Sequence, residues 1–384
     1  MLMRYDYIIS GAGCAGMSLL VRMIQSGKFQ DKRILVVDRE LKPRNDRTWC
    51  FWETSDGLFD PVVFRKWSVL NFHGENFNAI LNIEPYTYKM IRGGDFYRYC
   101  FDIIKSAQNV ELREGKITSV ETLKDGVGLT VDGARYEGSH GFNSILFGEP
   151  QAARGNQYYF LKQHFKGWVI KTEAPVFDPA VATLMDFRPP QEFGTTFTYV
   201  LPYSETTALI EYTLFTRDLL KHEEYDAALK SYIETHVTTG PYTIEESEFG
   251  VIPMTNFPFR PYEGRVVNIG TAGGQTKPSS GYTFQFIQKY TKNLVDTMIA
   301  TGQPVVSEQG GSRFSFYDST LLQVLDKKKI EGKRLFTDLF RHGDVQTVLK
   351  FLDNETTFRE DINIMRRLPK GKFAMAALRE IFKV

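Results

Sequence analysis

The sequence of 384 residues predicts an α/β protein in which a Rossmann-like domain is joined by an antiparallel β-sheet domain and a helical C-terminal region. Three observations predict this fold class. A short apolar strand, a glycine-rich turn and a helix follow one another within residues 5–26. Residues 158–215 contain several short apolar runs separated by turn residues, a pattern typical of antiparallel strands. From Asp318 to Val384 the apolar residues recur with helical spacing.

The first element of this fold is a βαβ unit. A strand at Tyr7–Ile9 leads into the turn Gly11–Gly16, a helix over Met17–Ser26 and a second strand at Arg33–Asp38. The turn has the pattern G-x-G-x-x-G, whose glycines let backbone amides approach a pyrophosphate at the helix N-terminus, and Asp38 would accept hydrogen bonds from a ribose. This pattern alone does not distinguish FAD from NAD. The predicted cofactor-binding residues of the unit are Gly11, Ala12, Gly13, Cys14, Ala15, Gly16, Asp38 and Arg39.

The elements that follow complete the predicted layout. Residues 109–147 are predicted to form a β-meander beside the parallel sheet, and 158–215 a second, mostly antiparallel sheet. Helices are expected over Lys221–Val237 and from about Thr283 to Ile299, with a strand at Arg265–Ile269 between them. The predicted domains are 1–150 together with 245–310 (cofactor binding, discontinuous), 151–244 (substrate) and 311–384 (helical).

The composition limits the classes of function. Hydrophobic residues make up 42% and charged residues 24% of the chain, so a packed core is available and a disordered chain is excluded. The formal net charge is only +1, which argues against nucleic acid as a partner. Aromatic residues make up 14%, more rings than a core requires, so we expect a large apolar or cationic ligand.

Cysteine and histidine do not form a metal or disulfide framework in the sequence. Cys14, Cys50 and Cys100 contain no C-x-x-C pair and are odd in number, which favours a reducing cytoplasm over a disulfide scaffold or zinc ribbon. The six histidines show no metal-ligand spacing, so no metal is expected. The sequence has no uninterrupted apolar run of about 18 residues, the length expected of a simple spanning helix.

A second glycine-rich turn lies between residues 266 and 284, after an apolar strand and before a helix. It resembles the second flavin-contacting motif of aromatic hydroxylases and related FAD enzymes, in which a strand ending in Gly-Asp is followed by Pro and Gly before a helix. The resemblance implies FAD as the cofactor, contacted by Gly270, Thr271, Gly281 and Tyr282. Thr271 stands where the motif has Asp, which weakens a hydroxylase interpretation because the usual carboxylate on the ribityl chain is missing.

Several strings of residues narrow the resemblance to one family. Residues 45–52 (NDRTWCFW), 208–213 (ALIEYT) and 274–284 (GQTKPSSGYTF) together resemble the bacterial flavoprotein lycopene β-cyclases. Shorter strings between residues 161 and 202 are similar to the same family in the same order. The likeness extends from about residue 5 to residue 300 and implies the aromatic hydroxylase or glutathione reductase type of FAD-binding domain.

This resemblance implies a non-redox reaction on a carotenoid, that of an intramolecular lyase. A terminal double bond in a linear ψ-end of lycopene is protonated, the next double bond attacks the tertiary cation, and loss of a proton leaves a β-ionone ring. Lycopene would pass through γ-carotene to β-carotene, and other carotenes with ψ-ends are expected substrates. Reduced FAD is required but not consumed, with NAD(P)H as a candidate reductant. The residue matched to the family's essential acid is Glu211.

Elementary electrostatics supports this role for Glu211. Protonation of an alkene needs an acid kept from water, and burial raises the pKa of a carboxyl group because it disfavours the anion. Glu211 lies in the largely apolar run Thr207–Leu214, although a solvent-facing Glu on an edge strand also fits this composition. The sequence leaves open whether Glu211 gives the proton, or stabilises the cation and then takes a proton. Asp186 is either a second acid or a structural residue at a strand end.

Aromatic side chains are expected to line the substrate cavity because their faces attract a cation. Trp49, Phe51 and Trp52 are the predicted lining residues, with a core aromatic cluster as the alternative. Arg47 beside them would contact a flavin phosphate or pair with a local carboxylate. Two other functions stay open: an FAD-dependent monooxygenase or reductase acting on an isoprenoid lipid, and a carotenoid or flavin carrier without catalysis.

The C-terminal region carries a positive charge that the rest of the chain lacks. Residues 321–384 contain fourteen Lys or Arg and nine Asp or Glu, a net charge of +5. A basic amphipathic helix can lie in a lipid interface, so we expect a cytoplasmic protein peripherally associated with the membrane, with a solvated helical cap as the alternative. The residues expected at the lipid are Leu335, Phe336, Leu339 and Phe340, close to Lys333, Arg334 and Arg341.

Overall fold

The computed structural model describes residues 4–41, 45, 47–148, 158–305 and 313–381. Its amino-terminal unit comprises β1 (Tyr5–Ser10), α1 (Cys14–Ser26) and β2 (Ile34–Asp38). β1 and β2 pair in parallel, and their central residues are fully buried beneath α1. The βαβ unit predicted from the glycine pattern is confirmed, with strand and helix ends that differ by two or three residues from the prediction.

The chain continues through a long series of strands. After β2 come β3 (Thr48–Glu53), β4 (Arg65–Trp67), β5 (Val69–Gly74), β6 (Phe77–Asn82), β7 (Thr87–Arg92), α2 (Gly93–Ile104), β8 (Val110–Glu114), β9 (Ile117–Leu123), β10 (Gly126–Val131) and β11 (Ala134–Asn143). The middle of the chain forms β12 (Phe160–Thr172), β13 (Val181–Asp186), β14 (Thr195–Pro202), β15 (Thr207–Thr216), α3 (His222–His236) and β16 (Tyr242–Thr255).

The last third of the chain is mostly helical. Two short strands precede the helices, β17 (Tyr262–Glu263) and β18 (Val266–Asn268). The helices are α4 (Phe284–Thr301), α5 (Arg313–Asp326), α6 (Gly332–His342), α7 (Val345–Leu352), α8 (Phe358–Met365) and α9 (Lys370–Ile381). Within the described ranges, none of these helices has the length and apolar character needed to cross a bilayer.

The first large sheet is of the Rossmann type. Its strands run in the order β17-β18-β11-β1-β2-β8, with β9 and β10 joined to it through β11. β1 pairs in parallel with both β2 and β11, which leaves the end of β1 in the middle of the sheet. The glycine turn that follows β1 therefore lies at the centre of the carboxyl edge, where parallel α/β sheets bind ligands.

The second large sheet has the order β16-β12-β15-β14-β13-β5-β6 and is antiparallel except where β13 meets β5. The predicted antiparallel sheet is present, but β5, β6 and most of β16 lie outside the predicted range 151–244. Strand β5 joins this sheet because it pairs with β13, a contact between residues more than 100 positions apart that periodicity does not reveal. A third, smaller sheet has the order β3-β7-β4. The division into domains stays a prediction.

Helix α6 corrects one expectation from the sequence. Its apolar stripe was expected to face lipid, yet it packs on β5 and β14 in the interior. The ring of Phe340 stacks on Phe72 with centroids 4.5 Å apart, and Phe336 stacks on Phe187 at 5.7 Å. The stripe serves the protein's own core because the exposed apolar face of the sheet is a closer partner than any lipid. The buried residues are Leu335, Phe336, Leu339 and Phe340, exposed by 2, 2, 7 and 3%.

Candidate active site

The first glycine turn has the shape required for a phosphate-bearing ligand. Gly11 has a φ of +95°, and a Cβ there would lie 2.2 Å from Ser144 Oγ. A Cβ on Gly16 would lie 2.0 Å from the carbonyl oxygen of Gly11, so neither position admits a side chain. Gly13 differs, because a Cβ there would meet nothing within 4 Å. The turn is thus closed towards the protein and open at Gly13, as a pyrophosphate site requires.

The N-terminus of α1 provides donors at this opening. Gly13 is its N-cap, and no side chain caps the helix. The Oδ2 atom of Asp38 accepts a hydrogen bond from the backbone N–H of Ala12 at 2.6 Å, so this carboxylate orders the turn. Arg39 is exposed immediately after it. Cys14 is buried, and burial raises the pKa of its thiol to about 12, which makes it unreactive. Contacts of Asp38 and Arg39 with a cofactor remain predictions.

The second glycine turn packs directly against the first. Gly270 has a φ of +64°, and a Cβ on it would lie 2.9 Å from the Cβ of Ala15. Helix α4, which follows the turn, lies along α1, where Arg22 donates hydrogen bonds to Thr291 at 3.2 Å and Gln288 at 3.0 Å. Packing between α1 and α4 therefore unites two glycine turns that are far apart in sequence.

A buried ion pair anchors the end of the second turn, residues 277–282, which we call the 277–282 loop. Lys277 Nζ lies 2.8 Å from the carboxylate of Asp318 on α5 and donates to Asn354 Oδ1 at 2.6 Å. Ser279 donates to the same aspartate at 2.5 Å. Gly281, with a φ of +71°, approaches Gln163 of β12 so closely that a Cβ would lie 2.0 Å from its Oε1 atom. The loop is held between the helices and the second sheet.

A cavity of about 380 Å³ lies where these parts meet, and we call it the active-site cavity. It is bounded by the 277–282 loop and by β3, β12, β14, β15 and β16. The predicted site residues that line it are Arg47, Trp49, Glu211, Thr271, Gly281 and Tyr282. It therefore brings together residues that the sequence analysis selected from four separate regions.

Two predicted lining residues lie elsewhere. Phe51 packs in the core beneath the first sheet, stacked on Phe284 at 4.4 Å, and Trp52 is buried in the core of the second sheet against Tyr282 at 4.8 Å. Neither lines the active-site cavity. Their rings are directed into the packed interior by the strand β3, whose side chains alternate between two faces.

The walls of the active-site cavity are rich in rings that the sequence analysis did not select. Tyr199, Tyr88, Phe165 and Phe284 contribute to the lining beside Trp49. Burial holds the pKa of Tyr88 and Tyr199 well above its ordinary value, so both hydroxyls stay neutral. Neutral aromatic faces in a low-dielectric cavity attract a carbocation.

Glu211 is the acidic side chain at the centre of this lining. It lies in β15, whose neighbouring residues are almost all buried, and its Oε1 atom accepts a hydrogen bond from the fully buried Thr213 hydroxyl at 2.9 Å. Burial raises the pKa of Glu211 well above its ordinary value, and the negative charge of Glu248 raises it further. A carboxyl group of this kind holds its proton at neutral pH.

Glu248 is a site residue that the sequence analysis missed. In the sheet, Gly167 of β12 pairs with Glu211 on one side and with Glu248 on the other. A Cβ on Gly167 would lie 3.0 Å from Glu248 Cγ, so the glycine leaves the space in which the two carboxyl groups approach each other. Glu248 also accepts a hydrogen bond from Thr48 at 3.0 Å. The signal in the sequence is weak, because Glu248 lies in an acidic, largely exposed strand.

Asp186, the other acid considered from sequence, has a structural environment. It is fully buried, accepts a hydrogen bond from Tyr232 at 2.6 Å and pairs through both oxygens with Arg188. Burial alone would raise the pKa of Asp186, but these hydrogen bonds outweigh it and lower the pKa. Asp186 is therefore an ionised carboxylate at the end of β13, and it does not line the active-site cavity.

The two sheets and the paired glycine turns define the fold shared by flavin-dependent reductases, monooxygenases and halogenases. A geranylgeranyl bacteriochlorophyll reductase-like protein from Thermoplasma acidophilum superposes with a TM-score of 0.62 at 12% identity over 100% of both chains. A flavoprotein/dehydrogenase from Cytophaga hutchinsonii superposes with a TM-score of 0.65 at 12% identity, covering 98% of this chain and 100% of that one. The halogenase PltM in complex with FAD has a TM-score of 0.57 at 13% identity, covering 91% and 78%.

The sequence itself gives a more specific assignment. The family described as lycopene cyclase protein matches residues 6–379, nearly the whole chain. The chain therefore belongs to the lycopene cyclase family, as the strings of residues predicted. A comparison with curated protein sequences gives no match.

Proposed function

We propose that the protein is a lycopene β-cyclase that closes the linear ψ-ends of lycopene, and of other carotenes with such ends, to β-ionone rings. The observation that carries this proposal is Glu211, a carboxyl group with a raised pKa in a cavity walled by aromatic rings and by the second glycine turn. An acid that retains its proton beside cation-attracting faces suits protonation of an alkene better than oxygen or hydride transfer.

The residues present fit FAD as the cofactor. The open side of Gly13 and the uncapped N-terminus of α1 would hold the pyrophosphate, and Thr271, Gly281 and Tyr282 would hold the flavin end at the active-site cavity. Arg47 at the same cavity would face a phosphate or the flavin. Reduced FAD, with NAD(P)H as a candidate reductant, would supply negative charge near the developing cation without being consumed.

The protein's own groups account for the proton movements. The Glu211 carboxyl donates its proton to the terminal double bond, and the cation at the tertiary carbon is held against the rings of Trp49 and Tyr199. The next double bond attacks this cation and forms the ring bond. Loss of a proton from the ring then leaves the double bond, and the Glu211–Glu248 pair accepts that proton. One proton enters and one leaves, so the product is an isomer of the substrate.

The substrate is a hydrocarbon that resides in membranes, and we propose that the protein is cytoplasmic and binds the membrane surface. In α9 the side chains of Met375, Leu378 and Ile381 are exposed by 55, 52 and 54%. These three residues lie three positions apart and form one stripe, which we call the α9 stripe. Lys372 and Arg379 on the same helix would favour anionic lipid.

The proposal is tested by the mass and labelling of the product. Protein, FAD and lycopene are incubated without oxygen in the presence of a flavin reductant, and the pigment is separated by chromatography. We expect ring-closed products of unchanged mass, without stoichiometric consumption of reductant. In D₂O each ring should contain one deuterium, because the protonated carbon keeps the added hydrogen.

Other outcomes identify the competing functions. A product that requires oxygen or consumes one equivalent of reductant would indicate a monooxygenase or reductase acting on an isoprenoid lipid. Glu211→Gln should abolish turnover but retain bound flavin, because the amide cannot donate a proton in this way. The matched control is Glu205→Gln, an exposed glutamate just before β15, which should leave turnover unchanged.

A further inference from the structure

A second cavity of about 380 Å³ lies among helices α5, α6, α7, α8 and α9, and we call it the helical cavity. Its wall is built from bulky apolar side chains, for example Leu321, Phe336, Phe351, Leu368 and Phe373. Protein interiors contain few voids larger than a water molecule, and small-molecule sites begin at about 300 Å³. The helical cavity is therefore of the size of a ligand site rather than of a packing defect.

The charged groups at this cavity do not suit a polar ligand. Asp318 already pairs with Lys277 at 2.8 Å and accepts from Ser279, so its charge is balanced within the protein. Arg366 is exposed, which places its charge at the solvent side of the wall. Water is held poorly in a space with so few polar partners. The chemistry of the wall favours a hydrocarbon.

The helical cavity and the active-site cavity are separated by a single loop. Ser279 and Ser280 of the 277–282 loop line the helical cavity, and the next two residues, Gly281 and Tyr282, line the active-site cavity. Consecutive residues lie about 3.8 Å apart, so the two spaces are close neighbours. A long chain with its end at Glu211 has the helical cavity within reach.

Helix α9 gives a second, independent indication of an apolar ligand. Phe373 and Ala377 line the helical cavity, while the α9 stripe is exposed on the outside. A surface helix normally has one apolar face, towards the core. Apolar residues on both sides of α9 suit a helix that separates a hydrocarbon-binding cavity from a lipid surface.

We propose that the helical cavity binds the part of the polyene chain that does not react, while the ψ-end lies at Glu211. This proposal rests on the proposed function. It makes the C-terminal helices a subsite for chain length: a long polyene gains affinity from the helical cavity, and a short analogue with the same end group gains none.

The test fills the helical cavity. Ala377→Trp places a large ring in it, and Ala300→Trp, on the exposed end of α4, is the matched control. KM is measured for lycopene and for a truncated polyene with one ψ-end, in detergent solution. We expect Ala377→Trp to raise KM for lycopene at least about tenfold and to change KM for the short substrate less than about twofold. The control should change neither value.

A binding measurement separates this proposal from the proposed function. Lycopene retained per protein after gel filtration is determined from its absorption, and it should fall about tenfold in Ala377→Trp whether or not the protein cyclises lycopene. Equal retention of lycopene by both variants would overturn the inference. If Ala377→Trp does not fold, as judged by circular dichroism, Ala377→Leu provides a smaller filling and should give a smaller loss in the same direction.

Discussion

Glu211 and Glu248 meet because the residue between them has no side chain. Alternate strands of a sheet are about 10 Å apart, which long side chains can bridge only over an empty position. Gly167 provides this position between β15 and β16. Two carboxyl groups placed in this way share a proton more readily than either ionises alone, which explains the raised pKa of Glu211 after burial is taken into account.

This pair predicts a shift in the pH dependence of turnover. Glu248→Gln removes the negative charge that helps raise the pKa of Glu211, while burial, the larger cause, remains. The loss of activity at high pH should therefore begin at lower pH in the variant than in the wild type. The measurement is kcat/KM against pH, with Glu245→Gln on the exposed part of β16 as the control. An unchanged high-pH limb would contradict a coupling of the two groups.

The same raised pKa predicts an effect on stability. The pKa of Glu211 is higher in the folded than in the unfolded chain, where it lies near 4.5, so its contribution is present below pH 4.5 and lost as the pH rises towards the folded value. In that window the wild type should lose up to about 1.4 kcal/mol of unfolding free energy per pH unit relative to Glu211→Gln. Urea unfolding of both proteins at several pH values measures this difference, and parallel curves would contradict it.

The sequence could predict Glu211 but not its partner. The apolar run around Glu211 and the family resemblance both indicated this residue. The proximity of Glu248 depends on the register of three strands, and register is fixed by long-range pairing that one sequence does not display. Phe51 and Trp52 were assigned to the cavity because aromatic type suggests a ligand, whereas their position on β3 directs them to the core.

At the scale of elements, the glycine turns show why local patterns predict well. Each turn is followed by a helix, and each glycine position has a local cause, either a left-handed φ or a close backbone approach. Such requirements are visible in a short stretch of sequence. Helix α6 shows the opposite case, because an amphipathic pattern fixes the helix but not the surface on which its apolar face packs.

The open side of Gly13 predicts a selective defect. Gly13 has a φ of −77°, which alanine adopts readily, and its Cβ would meet no protein atom within 4 Å. Gly13→Ala should therefore change the unfolding free energy of the flavin-free protein by less than about 0.5 kcal/mol. The methyl group would occupy the space expected for the pyrophosphate and weaken FAD binding at least about tenfold.

The measurement is FAD affinity by titration alongside unfolding of the flavin-free protein. The control is Gly371→Ala, at a position on α9 where a Cβ likewise meets nothing within 4 Å. If Gly13→Ala retains full flavin affinity, the turn does not hold the pyrophosphate in the way proposed.

At the scale of the whole molecule, the near-neutral charge of the chain divides into a mildly acidic body and a basic C-terminal region. The sequence correctly placed the excess of positive charge but attached it to the wrong apolar stripe. Leu335, Phe336 and their neighbours are core residues, and the exposed apolar residues of this region lie on α9 instead. Only burial in the folded molecule distinguishes one stripe from the other.

The α9 stripe predicts how binding to vesicles depends on sequence. Leu378→Asp removes an apolar side chain worth about 1.5 to 3 kcal/mol on burial and adds a charge that anionic lipid repels. We expect at least about tenfold weaker binding to vesicles containing anionic lipid, measured by flotation. Leu219→Asp, at an exposed leucine before α3, is the control. Equal binding of both variants would show that α9 does not contact lipid.

The buried pair Lys277–Asp318 has a consequence for the evolution and engineering of this chain. It joins the floor of the active-site cavity to the helical region, and Asn354 beyond α7 completes the coordination of the lysine. A chain cut after residue 320 would leave a buried ammonium group short of a partner, at a cost that the shortened protein would meet by loosening the 277–282 loop. The helical region is thus not a detachable anchor. Its loss would disable catalysis before it revealed anything about lipid, which is why single surface substitutions are the informative probes here.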